Sequence, residues 1–172
     1  SMPLRAKSAF KITPKIKTES QRSLINQMLQ DDSRHLSFTQ SVDVPVDLKE
    51  VCDLLRHRDE ERQYSGVKIL FSWPVSGLTE AINFIWENHG SDYGVHYQVN
   101  CLISQLGLTE LSFITKESLS EPAPQYAKSK IAATWGCLNL GLSECRSEIE
   151  NLFMMSNWEP LRWTCAEVLR KL

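Results

Sequence analysis

Gly107-Leu108-Thr109-Glu110 lies between two apolar runs, and near-copies flank it as Gly77-Leu78-Thr79-Glu80 and Gly141-Leu142-Ser143-Glu144. These residue types describe a joint between helices. Glycine ends a helix in the left-handed conformation, leucine packs, Thr or Ser caps the next helix, and Glu faces the positive end of its dipole. Three such joints in one chain imply a repeated two-helix unit.

Outward from the joints, apolar residues recur at helical spacing. Thr79 opens a helix carrying Ala81, Ile82, Phe84, Ile85 and Trp86, the polar turn 87–94 breaks it, and Val95 to Leu106 forms its partner. Thr109 opens the next helix, which Glu121-Pro122-Ala123-Pro124 closes before a partner over 125–140. A last pair runs from Ser143 through Phe153 and from Trp158 to Leu172, with Pro160 tolerable in a first turn. Upstream, Asp47 caps a helix through Leu55, the charged run Arg56 to Arg62 ends it, and a partner follows and stops before Pro74. Nothing reads as a set of strands. The expected fold is all-α, an α-α superhelix (solenoid) of helical hairpins at 46–73, 76–106, 109–140 and 143–172, plus an N-terminal helix over 18–30. Residues 18–172 form one domain on this reading, with 31–44 a loop. Residues 1–17, with five basic and no acidic side chains, form a basic flexible arm.

Superposing the second helix of each hairpin anchors a register on Arg62, His96, Lys130 and Arg162, at spacings of 34, 34 and 32 residues. Ser65, Val99, Ala133 and Cys165 then align as one inward column, and Ile69, Ile103, Cys137 and Leu169 as a second. Ser72, Leu106, Leu140 and Leu172 close the same face. Apolar columns arise whenever amphipathic helices are aligned to favour them, so the basic column discriminates better. Lys and Arg number 19 and His 4 among 172 residues. Four basic residues in one column therefore arise by chance on the order of 1 in 3000.

At 172 residues and 42% hydrophobic, the chain has enough material for one domain with a continuous core. A net charge of -2 with a pI near 6.1 lacks the basic excess of a dedicated nucleic-acid binder. The cysteines at 52, 101, 137, 145 and 165 all lie in apolar helical patterns without a Cys-x-x-Cys pair. They read as reduced, buried thiols of a cytoplasmic or otherwise intracellular protein. No run approaches the length of a membrane span.

The second helices and their entries carry a shared pattern over Asp59 to Leu70, Val95 to Leu106, Ala127 to Leu140 and Asn157 to Leu172. Each approximates an acidic or Asn turn, a basic residue, a small pair and a leucine end. In this the chain resembles the HEAT and armadillo class of helical repeats, in particular the HEAT-like repeats of phycobilisome lyases, over roughly 46–172. It departs from the pattern where the turn acid is missing before His96 and Lys130, and Ser65 and Ser72 make the first copy least typical. The resemblance implies a stack of hairpins of a kind that mostly binds proteins, with a minority handling nucleic acids, and it names no ligand.

Catalytic signals are absent from the pattern. The histidines at 35, 57, 89 and 96 show no His-x-x-x-His or Glu-x-x-His spacing, so neither a metal nor a cofactor is expected. His96 reads as the basic member of its column, pairing with a turn acid or a carbonyl. Cys101 and Cys137 fall at or beside inward positions, which suits inert thiols better than nucleophiles. Asp59-Glu60-Glu61 suits a helix start. Trp86 and Trp163 read as packing, whereas Trp135, near Lys128, Lys130 and Asn139, is either a packing ring or a groove-facing anchor.

The expected function is a non-enzymatic interaction module or scaffold holding a protein segment, acidic in character, in the groove of the second helices. Its outward groups are Tyr64, Lys68, Gln98, Gln105, Lys128, Trp135, Asn139 and Arg170. As the alternative, helical-repeat DNA glycosylases resemble this architecture, and Trp135 with Lys128, Lys130 and the basic arm would hold a nucleic-acid backbone. No membrane partner is expected. The chain stops at Leu172 while still amphipathic, which points to association through that end.

Overall fold

The computed structural model describes residues 48–73 and 75–172. The helix, loop and basic arm expected before residue 45 lie outside these described residues. Within them stand eight α-helices and no strand, in four consecutive pairs. These are α1 (Leu48–Leu55) with α2 (Glu60–Ser72), α3 (Val75–His89) with α4 (Tyr93–Leu106), α5 (Ser112–Leu119) with α6 (Ala127–Asn139), and α7 (Arg146–Met155) with α8 (Glu159–Lys171). The members of each pair pack on one another, and α2, α4, α6 and α8 also pack in series.

Local chemistry sets the helix starts. The Asp59 carboxylate accepts the Glu61 N–H ahead of α2, and Asp92 accepts the N–H groups of Gly94 and Val95 ahead of α4. Both satisfy amides that a helix start leaves without partners. The acid read as missing before His96 is therefore present as Asp92, one residue farther upstream than in the first copy. The turn 90–92 is correspondingly shorter than the expected 87–94, because α3 continues to His89 and α4 begins at Tyr93.

The three joints are not equivalent. Gly107 (φ 66) and Gly141 (φ 70) take the left-handed conformation. The amides of Leu108 and Leu142 then bond the carbonyls of Ile103 and Cys137, closing the same C-terminal motif twice. Thr109 and Ser143 do not cap by their hydroxyls as expected. Each starts a single 3-10 turn, Thr109–Leu111 or Ser143–Cys145, whose amides bond back to the preceding leucine carbonyl. Gly77 and Thr79 lie inside α3, so this copy ends no helix and opens none. The break falls upstream of Val75, ahead of the motif.

One apolar cluster fills α1 to α4 and reaches Leu111 and Ile114, while a second joins Leu119 and Ile131 to α7 and α8. The inward column Ser65, Val99, Ala133 and Cys165 is fully buried at all four positions. The entry of α4 lies close against the end of α1, where a Cβ on Gly94 would lie 2.3 Å from the Leu55 carbonyl oxygen. Trp163, expected to pack, is 57% exposed. An apolar neighbourhood in sequence does not become one in space at this position.

Candidate functional site

The residues expected to line a groove turn out to be mostly interior. Tyr64, Lys68, Gln98, Gln105 and Trp135 are each less than 9% exposed. This contradicts their reading as outward groups. A second helix contacts its hairpin partner and the second helices on either side, so little of its circumference is left for display. Polar groups there bond between helices instead. Gln98 donates to Gln63, and Asn139 donates to both the hydroxyl and the carbonyl of Ser104. Lys128 is half-buried, 2.8 Å from Glu60 and 4.4 Å from the Tyr97 ring centroid. Trp135 sits in the second core cluster with Lys171 beyond its ring. Of the expected set, Arg170 is exposed and forks onto Glu167 at 2.6 Å.

The basic column has a structural use in its last two members. Lys130 donates to the carbonyl of Leu119 at the end of α5, and Arg162 donates to the carbonyl of Phe153 near the end of α7. Each closes the C-terminal turn of its hairpin's first helix, where backbone acceptors have no helical partner. His96 departs from the expected pairing. Its ring stacks on Tyr126 at 4.1 Å and meets Trp86 at 5.1 Å, and its Nδ1 is buried without a hydrogen-bond partner. Burial, chiefly, holds its pKa down at about 4, with nearby Glu121 opposing and Lys130 assisting. The ring is neutral at physiological pH.

Around this ring opens a cleft of about 350 Å³, lined by Trp86, Glu87 and Asn88 at the end of α3, by Glu117 on α5, and by Glu121 and Tyr126 between α5 and α6. Tyr126 is fixed by its hydroxyl, which donates to the Ser91 carbonyl, and Glu121 accepts the Ala123 amide at 3.1 Å. Glu87 and Glu117 form no ion pair among the described residues. Sequence reasoning missed this site because it assigned His96 to a repeating ion-pair role. The available signal was charge: Glu87, Glu117 and Glu121 lie at or near the ends of the two helices that flank α4 in the chain.

All five cysteines are buried and free. Burial pushes the Cys101 thiol up to about 12 and Cys165 up to about 11, and raises Cys137 and Cys145 as well. Thiols in this state are poor nucleophiles. Among the described residues, no group of three or more His, Cys, Asp or Glu side chains is arranged to hold a metal ion. None of the described helices is long and apolar enough to cross a membrane.

No family model matches the chain. Over 136 residues it is 26% identical to a protein of Pseudanabaena tenuis called uncharacterized phycocyanin operon protein Y. That match covers 78% of this chain and 32% of the relative, so the chain corresponds to about a third of the length of the protein it resembles.

Proposed function

We propose that this chain is a non-catalytic protein-binding module built as a short solenoid of HEAT-like hairpins. The observation that carries the repeat is a set of hydrogen bonds joining residues 35 apart. Gln63 meets Gln98, Ser91 meets Tyr126, and Ser104 meets Asn139. Polar rungs at one constant separation are what successive copies of a stacked unit place side by side, and stacked helical units present extended surfaces suited to protein partners. The similarity to a protein named for a phycocyanin operon makes phycocyanin, or a protein produced with it, the first partner to test.

The partner surface on this reading comprises the polar ends and edges of the stack, since most of the second-helix side chains are interior. Titration of purified phycocyanin into the chain, followed by analytical ultracentrifugation, is expected to give a saturable complex. Arg170→Glu combined with Lys171→Glu is expected to weaken it severalfold if an acidic segment docks beside α8. Absence of any complex at about 100 μM, corresponding to less than roughly 5–6 kcal/mol of binding, would discard phycocyanin as the partner.

A further inference from the structure

The cleft around His96 is lined by three carboxylates, those of Glu87, Glu117 and Glu121. Among the described residues Glu87 and Glu117 have no cationic partner, Glu121 has one oxygen on the Ala123 amide, and the buried Nδ1 of His96 has no hydrogen-bond partner. A buried polar atom without a partner costs on the order of 1–3 kcal/mol, so its persistence calls for an explanation. Lys130 lies nearby, but its ammonium is committed to the Leu119 carbonyl, and the cleft keeps a net negative lining. Trp86 and Tyr126 add flat aromatic walls held in place by the His96 stack and the Ser91 bond.

A ligand suited to this lining is planar, cationic and rich in N–H donors. We propose that the cleft receives the arginine side chain of a protein partner, the guanidinium lying against Trp86, forking onto Glu117 and Glu121, and donating to His96 Nδ1. The guanidinium has five donors in a rigid plane, stacks on aromatic rings and is weakly hydrated. An ammonium offers a point charge and leaves the flat walls unused. For Nδ1 to accept, the neutral ring carries its proton on Nε2. The inference rests on the protein-binding reading above and names the chemistry of one contact within it.

The probe is a capped Gly-Arg-Gly tripeptide, with citrulline and lysine counterparts, titrated while the Trp86 indole and His96 ring resonances are followed by NMR. Saturable shifts of both resonances at millimolar peptide are expected, with citrulline silent and lysine at least threefold weaker. Glu117→Gln with Glu121→Gln is expected to weaken the arginine peptide about tenfold, matching loss of about 1.4 kcal/mol, while unchanged helical circular dichroism and chemical shifts elsewhere show an intact fold. Equal shifts with citrulline, equal affinity for lysine, or no saturable shift up to about 10 mM (weaker than roughly 3 kcal/mol) would each overturn the assignment. Phycocyanin binding without arginine binding removes this contact and leaves the proposed function standing. Arginine binding without phycocyanin binding discards phycocyanin as the partner and leaves this contact standing.

Discussion

His96, Lys130 and Arg162 occupy one position in three successive second helices, yet α4 uses it differently from α6 and α8. In α6 and α8 the side chain spans to a carbonyl of the hairpin's first helix. In α4 the imidazole is too short and too flat for that task, and it stacks between Trp86 and Tyr126 with Nδ1 left over. The neighbouring position differs as well. Lys128 and Pro160 precede the other two basic residues by two places, whereas Gly94 precedes His96 because the Leu55 carbonyl lies against it. The same position thus carries a backbone contact in two of the second helices and an aromatic stack in a third.

The largest test of this contrast is Gly94→Ala. Its Cβ would meet backbone oxygen at 2.3 Å, so α4 must shift, at a cost of about 3 kcal/mol or more in chemical denaturation. Next comes acid. Folded His96 protonates near pH 4 rather than near 6.5, so between these values the unfolded chain holds more protons and stability falls as pH drops through the window. After allowance for partial solvent screening, about 2 kcal/mol is expected from this group. His96→Phe keeps the stack and loses that part of the slope, as urea titrations at pH 7 and 4.5 would register.

A smaller effect separates the column members directly. Lys130→Met and Arg162→Met each remove a donor from a carbonyl and are expected to cost about 1.5 kcal/mol. His96→Phe at pH 7 removes no hydrogen bond made by Nδ1 and is expected to stay within about 0.5 kcal/mol of the parent. Equal losses at all three positions, measured by thermal unfolding, would erase the distinction. The joints give the smallest changes. Gly107→Ala and Gly141→Ala force a side chain into left-handed backbone and lose about 1 kcal/mol each. Gly77→Ala, exposed in α3 with open space around its Cβ, gains about 0.5 kcal/mol from helix propensity. A loss at Gly77 equal to that at Gly107 would mean that the copies act alike after all.

Much of the helix pattern was legible because its causes are near in sequence. Apolar spacing marked α2 and α4 to α8, Pro160 was placed in a first turn, and glycine geometry at 107 and 141 followed from the conformation that only glycine adopts cheaply. The candidate site was not legible to the same degree. Tyr64, Lys68, Gln98, Gln105 and Trp135 are polar or amphipathic residues whose helical phase allowed outward display. Their burial depends on what stands alongside. Likewise Gly77-Leu78-Thr79-Glu80 has the composition of a joint without its position, since α3 begins upstream at Val75.

By itself, the sequence determined the helical class, the left-handed stops at Gly107 and Gly141, and the inward column of small residues. Backbone preference and apolar periodicity act within a few residues, so they leave a local trace. Tertiary structure alone decided which face of each second helix stayed accessible, that Lys130 and Arg162 close their own hairpins, and that His96 lies neutral between two rings beside three carboxylates. Those outcomes depend on how separate helices are brought together, from 9 residues apart for Arg162 and Phe153 to 35 for Gln63 and Gln98, where partners compete for the same atoms and burial changes what a charged or polar group can sustain.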